Sequence, residues 1–135
     1  MSNGSTSLGA LAGLDTATKA LLGLRLGFAA STWVAPRKTV CLFGIDADEN
    51  PVVPYVGRLF GSREAWMAAE VVLATDNGAR RQLLTRHTAV DAADLVATIF
   101  GWRAGYLTGR AAAATALVAV GALGLAAATI AGKKG

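Results

Sequence analysis

Residues 111–131 read AAAATALVAVGALGLAAATIA, twenty-one consecutive positions without a charged side chain. At about 1.5 Å of rise per residue, a helix of this length is about 30 Å long, which matches the hydrocarbon thickness of a bilayer. No other stretch is as apolar, but three others have comparable length and carry charges among Leu, Ala, Gly and Val. The expectation is therefore an all-α protein, an integral membrane four-helix bundle. Its helices should cover about 16–35, 55–74, 82–106 and 111–131, forming one transmembrane domain over 15–135 behind a flexible polar tail at 1–14.

Local signals set these boundaries. Asp15 or Thr16 can cap the first helix, and Pro36 stops it. Lys19 can snorkel to one interface and Trp33 can anchor the other. Residues 36–54 hold all three prolines of the chain and the acidic run Asp46-Ala47-Asp48-Glu49. They read as the longest non-helical piece, either a short hairpin or a segment lying along a membrane surface. The second segment carries Arg58, Arg63, Glu64 and Glu70 and closes at the polar turn 75–78. The third ends in an aromatic and basic belt of Trp102, Arg103 and Tyr106.

Composition points the same way. Of 135 residues, 53% are hydrophobic and 16% charged, against about a quarter charged in a typical soluble domain. Mean hydropathy is +0.45. The net charge of +4 comes from scattered basic residues with no basic face or arm, so no nucleic-acid partner is expected. Membrane lipids are the expected partners, with a membrane protein or a second copy of the chain as further candidates. Met1 to Leu14 lack a basic n-region, so no cleaved signal peptide is expected and the location reads as a cell inner membrane, multi-pass. Four crossings put both termini on one face with Arg80, Arg81, Arg86, Lys133 and Lys134, against Arg37, Lys38, Arg103 and Arg110 on the other. The positive-inside rule then favours cytoplasmic termini by one residue. Cys41 is the single cysteine, so neither an internal disulfide nor a cysteine metal cluster can form.

Charges within the helices carry the functional question. A charged side chain at a helix centre costs about 2.5–3.5 kcal/mol on insertion scales, so Arg25, Arg63, Glu64 and Asp94 together oppose insertion by about 10 kcal/mol unless they pair. Arg25, Arg58 and Arg63 against Glu64, Glu70, Asp91 and Asp94 leave one negative charge, which a protonated His87 would balance. These eight residues form the expected buried polar cluster, structural or ligand-binding. At 100° per residue, His87, Asp91 and Asp94 fall within an arc of about 60° and define one inward stripe. Gly57-xxx-Gly61 allows a close helix approach that would press Glu64 into a neighbour, and Gly23-xxx-Gly27 and Gly124-xxx-Ala128 offer matching small surfaces.

Other motifs are weak. Asp46 to Asn50 begins like a calcium loop, but Pro51 stands where glycine is needed and Gly57 where the bidentate Glu belongs. His87, Asp91 and Asp94 at i, i+4 and i+7 have the geometry of three ligands, but a single histidine argues against a di-metal bundle; neither metal nor cofactor is expected. No P-loop, dinucleotide fingerprint or nucleophile elbow is present.

Arg58-Leu59-Phe60-Gly61-Ser62-Arg63, together with Asp91 and Asp94, resembles the small uncharacterised four-helix bacterial membrane proteins that are DoxX-like in general topology. The resemblance covers the chain from about Ala20 onward and implies fold and membrane location only. The function expected is that of a non-enzymatic accessory subunit or a small-ligand or lipid binder. The rivals are an intramembrane enzyme acting on an isoprenoid or lipid, with Glu64, Asp91 or Asp94 as a buried catalytic acid, and a proton or ion pathway through His87, Asp91 and Asp94. A lipid-sized cavity ending at a carboxyl free of arginine would favour the enzyme.

Overall fold

The computed structural model of the chain describes residues 9 and 11–132, and all regular structure among them is α-helical. Helix α1 spans Thr16–Val34, α2 Pro36–Leu42, α3 Val53–Leu73, α4 Asn77–Arg103 and α5 Gly109–Ala131. Most of the expected tail, and Lys133 and Lys134, lie outside the described residues. Leu14, placed in that tail by the sequence, is buried in the core.

The caps explain where the helices begin. Asp15 accepts from the Thr18 backbone N–H at 2.9 Å and from its hydroxyl at 2.7 Å, which makes Asp15 the N-cap of α1. Asp76 accepts from Ala79 N–H at 2.8 Å, so α4 begins five residues before the expected 82: the polar turn that ends α3 is also the cap of the next helix. Thr108 does the same for α5 through Ala111 N–H at 3.2 Å. The expected non-helical piece 36–54 is corrected at both ends. Pro36 occupies the first turn of α2 and Pro54 that of α3, where a missing N–H is no loss and the fixed φ is already helical. Gly44, at φ +75°, turns the chain out of α2, in a conformation costly for a residue with a Cβ.

The four long helices run up and down, with α1 packed on α3, α4 on α5, and α5 also meeting α1. Thr18 and Thr129 hydroxyls are 3.3 Å apart, which puts the start of α1, the α3–α4 turn and the end of α5 at one end of the bundle. Helix α2 and the 104–108 connection lie at the other, where Gly44 meets the Arg110 side chain. The end nearest the α1 start is solidly packed by Leu14, Leu21, Leu22, Ala68, Val71, Leu84, Ala122 and Ala126.

Glycine 61 sets the α1–α3 distance. A Cβ there would lie 2.0 Å from the Thr32 hydroxyl and 3.4 Å from Ala29 Cα. The other small surfaces read from the sequence are not used in this way: Gly23, Gly27 and Gly124 have open space where a Cβ would project.

Buried charges occur beside the apolar core, and large apolar side chains occur on the outside. Arg25 is 2% and Asp91 4% exposed, whereas Trp66 is 67% and Leu117 75% exposed. Among the described residues one helix, α5, is long and apolar enough to cross a membrane; α1, α3 and α4 carry the charges.

Candidate functional site

Five charged residues from three helices form a continuous chain across the middle of the bundle. Arg25 projects from the centre of α1. Its Nη1 and Nη2 donate to the two Asp91 oxygens on α4, at 3.3 and 2.7 Å, and Nη1 also donates to Glu64 Oε2 on α3. The other Glu64 oxygen accepts from Arg63 Nη2 at 3.0 Å. Arg63 then reaches Asp94, one turn along α4 from Asp91, with both terminal nitrogens at 3.0 and 2.5 Å. The order is Asp91–Arg25–Glu64–Arg63–Asp94, with two bidentate forks joined by a bridging carboxylate. Forks of this kind are the strongest charge-assisted arrangement available to side chains.

The local structure accounts for each placement. Gly61 lies one turn before Glu64, and the close contact it permits brings Glu64 against Arg25. Neighbours on a helix diverge by 100°, so Arg63 beside Glu64 is directed toward α4. Asp91 and Asp94 share a face at i and i+3.

The other members of the sequence-derived cluster are elsewhere. His87 Nε2 is 2.9 Å from Glu70 Oε2, a separate pair toward the packed half, so the expected stripe of His87, Asp91 and Asp94 divides between two sites. Arg58 is exposed on α3, its guanidinium 5.9 Å from the centroid of the Trp33 ring. It therefore does not join the buried charges. Without it, and with His87 committed to Glu70, the central chain holds three carboxylates and two guanidiniums, not the balanced set expected.

Above this charged layer a half-open cavity separates the helices. A cavity of about 360 Å3 extends from Arg25, Arg63, Glu64, Asp91 and Asp94 toward the α2 end. Its walls are mainly apolar, including Leu24, Phe28, Val56, Phe60, Val118 and Ala119, and Val40, Phe43, Ile45 and Leu107 lie toward its far end. The sequence contained no sign of this space, since a void between helices is a property of their spacing.

Each carboxylate bordering the cavity is bound by arginine, the two aspartates bidentately. A cavity carboxyl free of arginine, which the buried-acid mechanism needs, does not occur among the described residues. One oxygen each of Glu64, Asp91 and Asp94 falls within a 4.8 Å group, and each of these carboxylates is also bonded to a guanidinium. His87 is not in that group, so the ligand trio His87, Asp91 and Asp94 considered from spacing is not assembled. Nε of Arg25, Nε of Arg63 and Nδ1 of His87 are buried without a hydrogen-bond partner.

No family model matches the chain, and no curated protein or solved structure matches it either.

Proposed function

We propose that this protein is a small multi-pass membrane protein, its four long helices crossing the bilayer, that binds a small ligand with an apolar body in the cavity above its charged layer and does no covalent chemistry on it. Large apolar side chains on the outside, together with paired charges inside, are the observation that carries this reading. Large apolar side chains such as Leu59, Trp66, Ile99, Phe100 and Leu117 point outward, while paired Arg, Asp and Glu fill the centre. In water this arrangement is doubly unfavourable, exposing apolar surface and desolvating ions. In lipid the first penalty is removed, because the apolar surface meets acyl chains, and the second is reduced by pairing of the ions with one another. Of the charges on α1, α3 and α4, Arg25, Glu64 and Asp91 are buried, whereas Lys19, Arg58, Arg81, Arg86 and Arg103 are exposed.

The arginine-bound carboxylates support binding over acid catalysis. A bilayer position in a bacterial inner membrane, with lipids as partners, agrees with the DoxX-like resemblance in general topology.

Topology tests the reading directly. Cys41 is exposed at the α2 end, and Thr75 lies at the opposite end. In sealed inverted and right-side-out vesicles, a membrane-impermeant maleimide should label native Cys41 from one side only. The C41S/T75C variant should label from the other. Labelling of both sites from one side, or release of the protein by alkaline carbonate, would refute the membrane-spanning bundle.

A further inference from the structure

We infer that the cavity takes a lipophilic monocation, an apolar or aromatic body with one fixed positive charge, seated with its charge toward the carboxylates of Glu64, Asp91 and Asp94. The inference rests on the membrane-embedded binding role proposed above and specifies the ligand. Two observations lead to it.

The first is charge. The residues lining the cavity include three carboxylates, and the cations among them are Arg25 and Arg63 alone. One formal negative charge is therefore left over beside a mainly apolar wall, with Asp94 and Arg63 part-exposed and Asp91 buried. Neither basic residue nearby supplies the balance: Arg58 is turned out over Trp33, and His87 is bonded to Glu70. A ligand carrying one positive charge closes the set.

The second is the wall. Three of the four phenylalanines in the chain, Phe28, Phe43 and Phe60, line this cavity. Aromatic faces attract ammonium groups, most of all where water is excluded, and Phe60 already lies against the Arg63 guanidinium, 4.8 Å from ring centroid to Cζ.

The volume of about 360 Å3 is in the range of small-molecule sites, about 300–1,000 Å3.

Benzoylcholine combines these properties, and 3,3-dimethylbutyl benzoate is its neutral counterpart, with carbon in place of the charged nitrogen. Binding of both to the full chain in dodecyl maltoside would be measured by equilibrium dialysis and corrected for uptake by protein-free micelles. Benzoylcholine should bind at least about tenfold more tightly than its neutral counterpart, as expected for a charge contact at low dielectric. Glu64→Gln and Asp94→Asn each make the charged layer neutral, and each should remove most of that preference. Asp48→Asn, a surface change at the α2 end, should leave it intact.

Equal affinity for the two probes overturns the inference while leaving a membrane cavity that binds apolar molecules. Wild-type preference in both Glu64→Gln and Asp94→Asn, with helical content retained by circular dichroism, also overturns it. If neither probe binds, the ligand assignment falls, and vesicle labelling still decides separately whether the bundle spans the membrane.

Discussion

Arg25 illustrates how context sets the value of a charge. It makes three hydrogen bonds to carboxylate oxygens and is nearly inaccessible, so its removal strands Asp91 and part of Glu64 in the interior. Losing one partner of a buried ion pair costs about 3–5 kcal/mol, and Arg25→Met should destabilise the protein by that order in reversible unfolding from mixed micelles. Arg25→Lys should recover only part of the loss, because an ammonium cannot reproduce the fork. Arg25 near mid-helix, with carboxylates on other segments, was legible from the sequence as a charge requiring a partner. Which carboxylates it would meet was not, because that depends on the rotation of α3 and α4 about their axes. Arg58 shows the converse: five residues before Arg63 on the same helix, it lies on the exposed side, and the sequence reading grouped it with the interior.

At the scale of elements, glycines and caps make opposite predictions at similar-looking positions. Gly61→Ala would place a methyl 2.0 Å from the Thr32 hydroxyl and should cost about 1–3 kcal/mol, as overpacking generally does. In a Thr32→Ala background much of that cost should vanish, a coupling that a double-mutant cycle reads directly. Gly23→Ala meets open space and should be neutral or stabilising by up to about 1 kcal/mol through helix propensity.

Asp76 provides an element-level pH test. The Ala79 backbone N–H, the largest influence, holds its carboxyl below the usual carboxylate range. Since the folded state lowers this pKa, the cap's contribution is complete above the unfolded aspartate value and is lost as pH falls through the folded one. The difference in thermal midpoint between wild type and Asp76→Ala should therefore be constant near neutrality and close at pH below the carboxylate range. The prolines carry the same lesson about elements: Pro36 was readable as a stop, but a proline that ends one helix also starts the next, and only the folded chain distinguishes α2 from a loop.

At the scale of the whole molecule, the bundle is packed on one side of its charged layer and holds the half-open cavity on the other. Buried Ala119 borders that cavity, so Ala119→Leu should fill space without strain. We expect it to raise unfolding stability through added van der Waals contacts and to reduce ligand uptake, measured in parallel by micelle unfolding and dialysis. A stabilised protein with undiminished binding would place the ligand elsewhere.

By itself the sequence determined the helical class and a set of mid-helix charges that could not remain alone. These features are local or additive, following from hydrophobic run length, capping residues and the cost of an ion away from water. Tertiary structure alone decided the pairing of Arg25 with Asp91 and Glu64, the departure of Arg58, the separate bond of His87 to Glu70, and the cavity. Each of these depends on how far apart the helices stand and how they are rotated, quantities set by contacts between residues such as Gly61 and Thr32 that are distant in the chain.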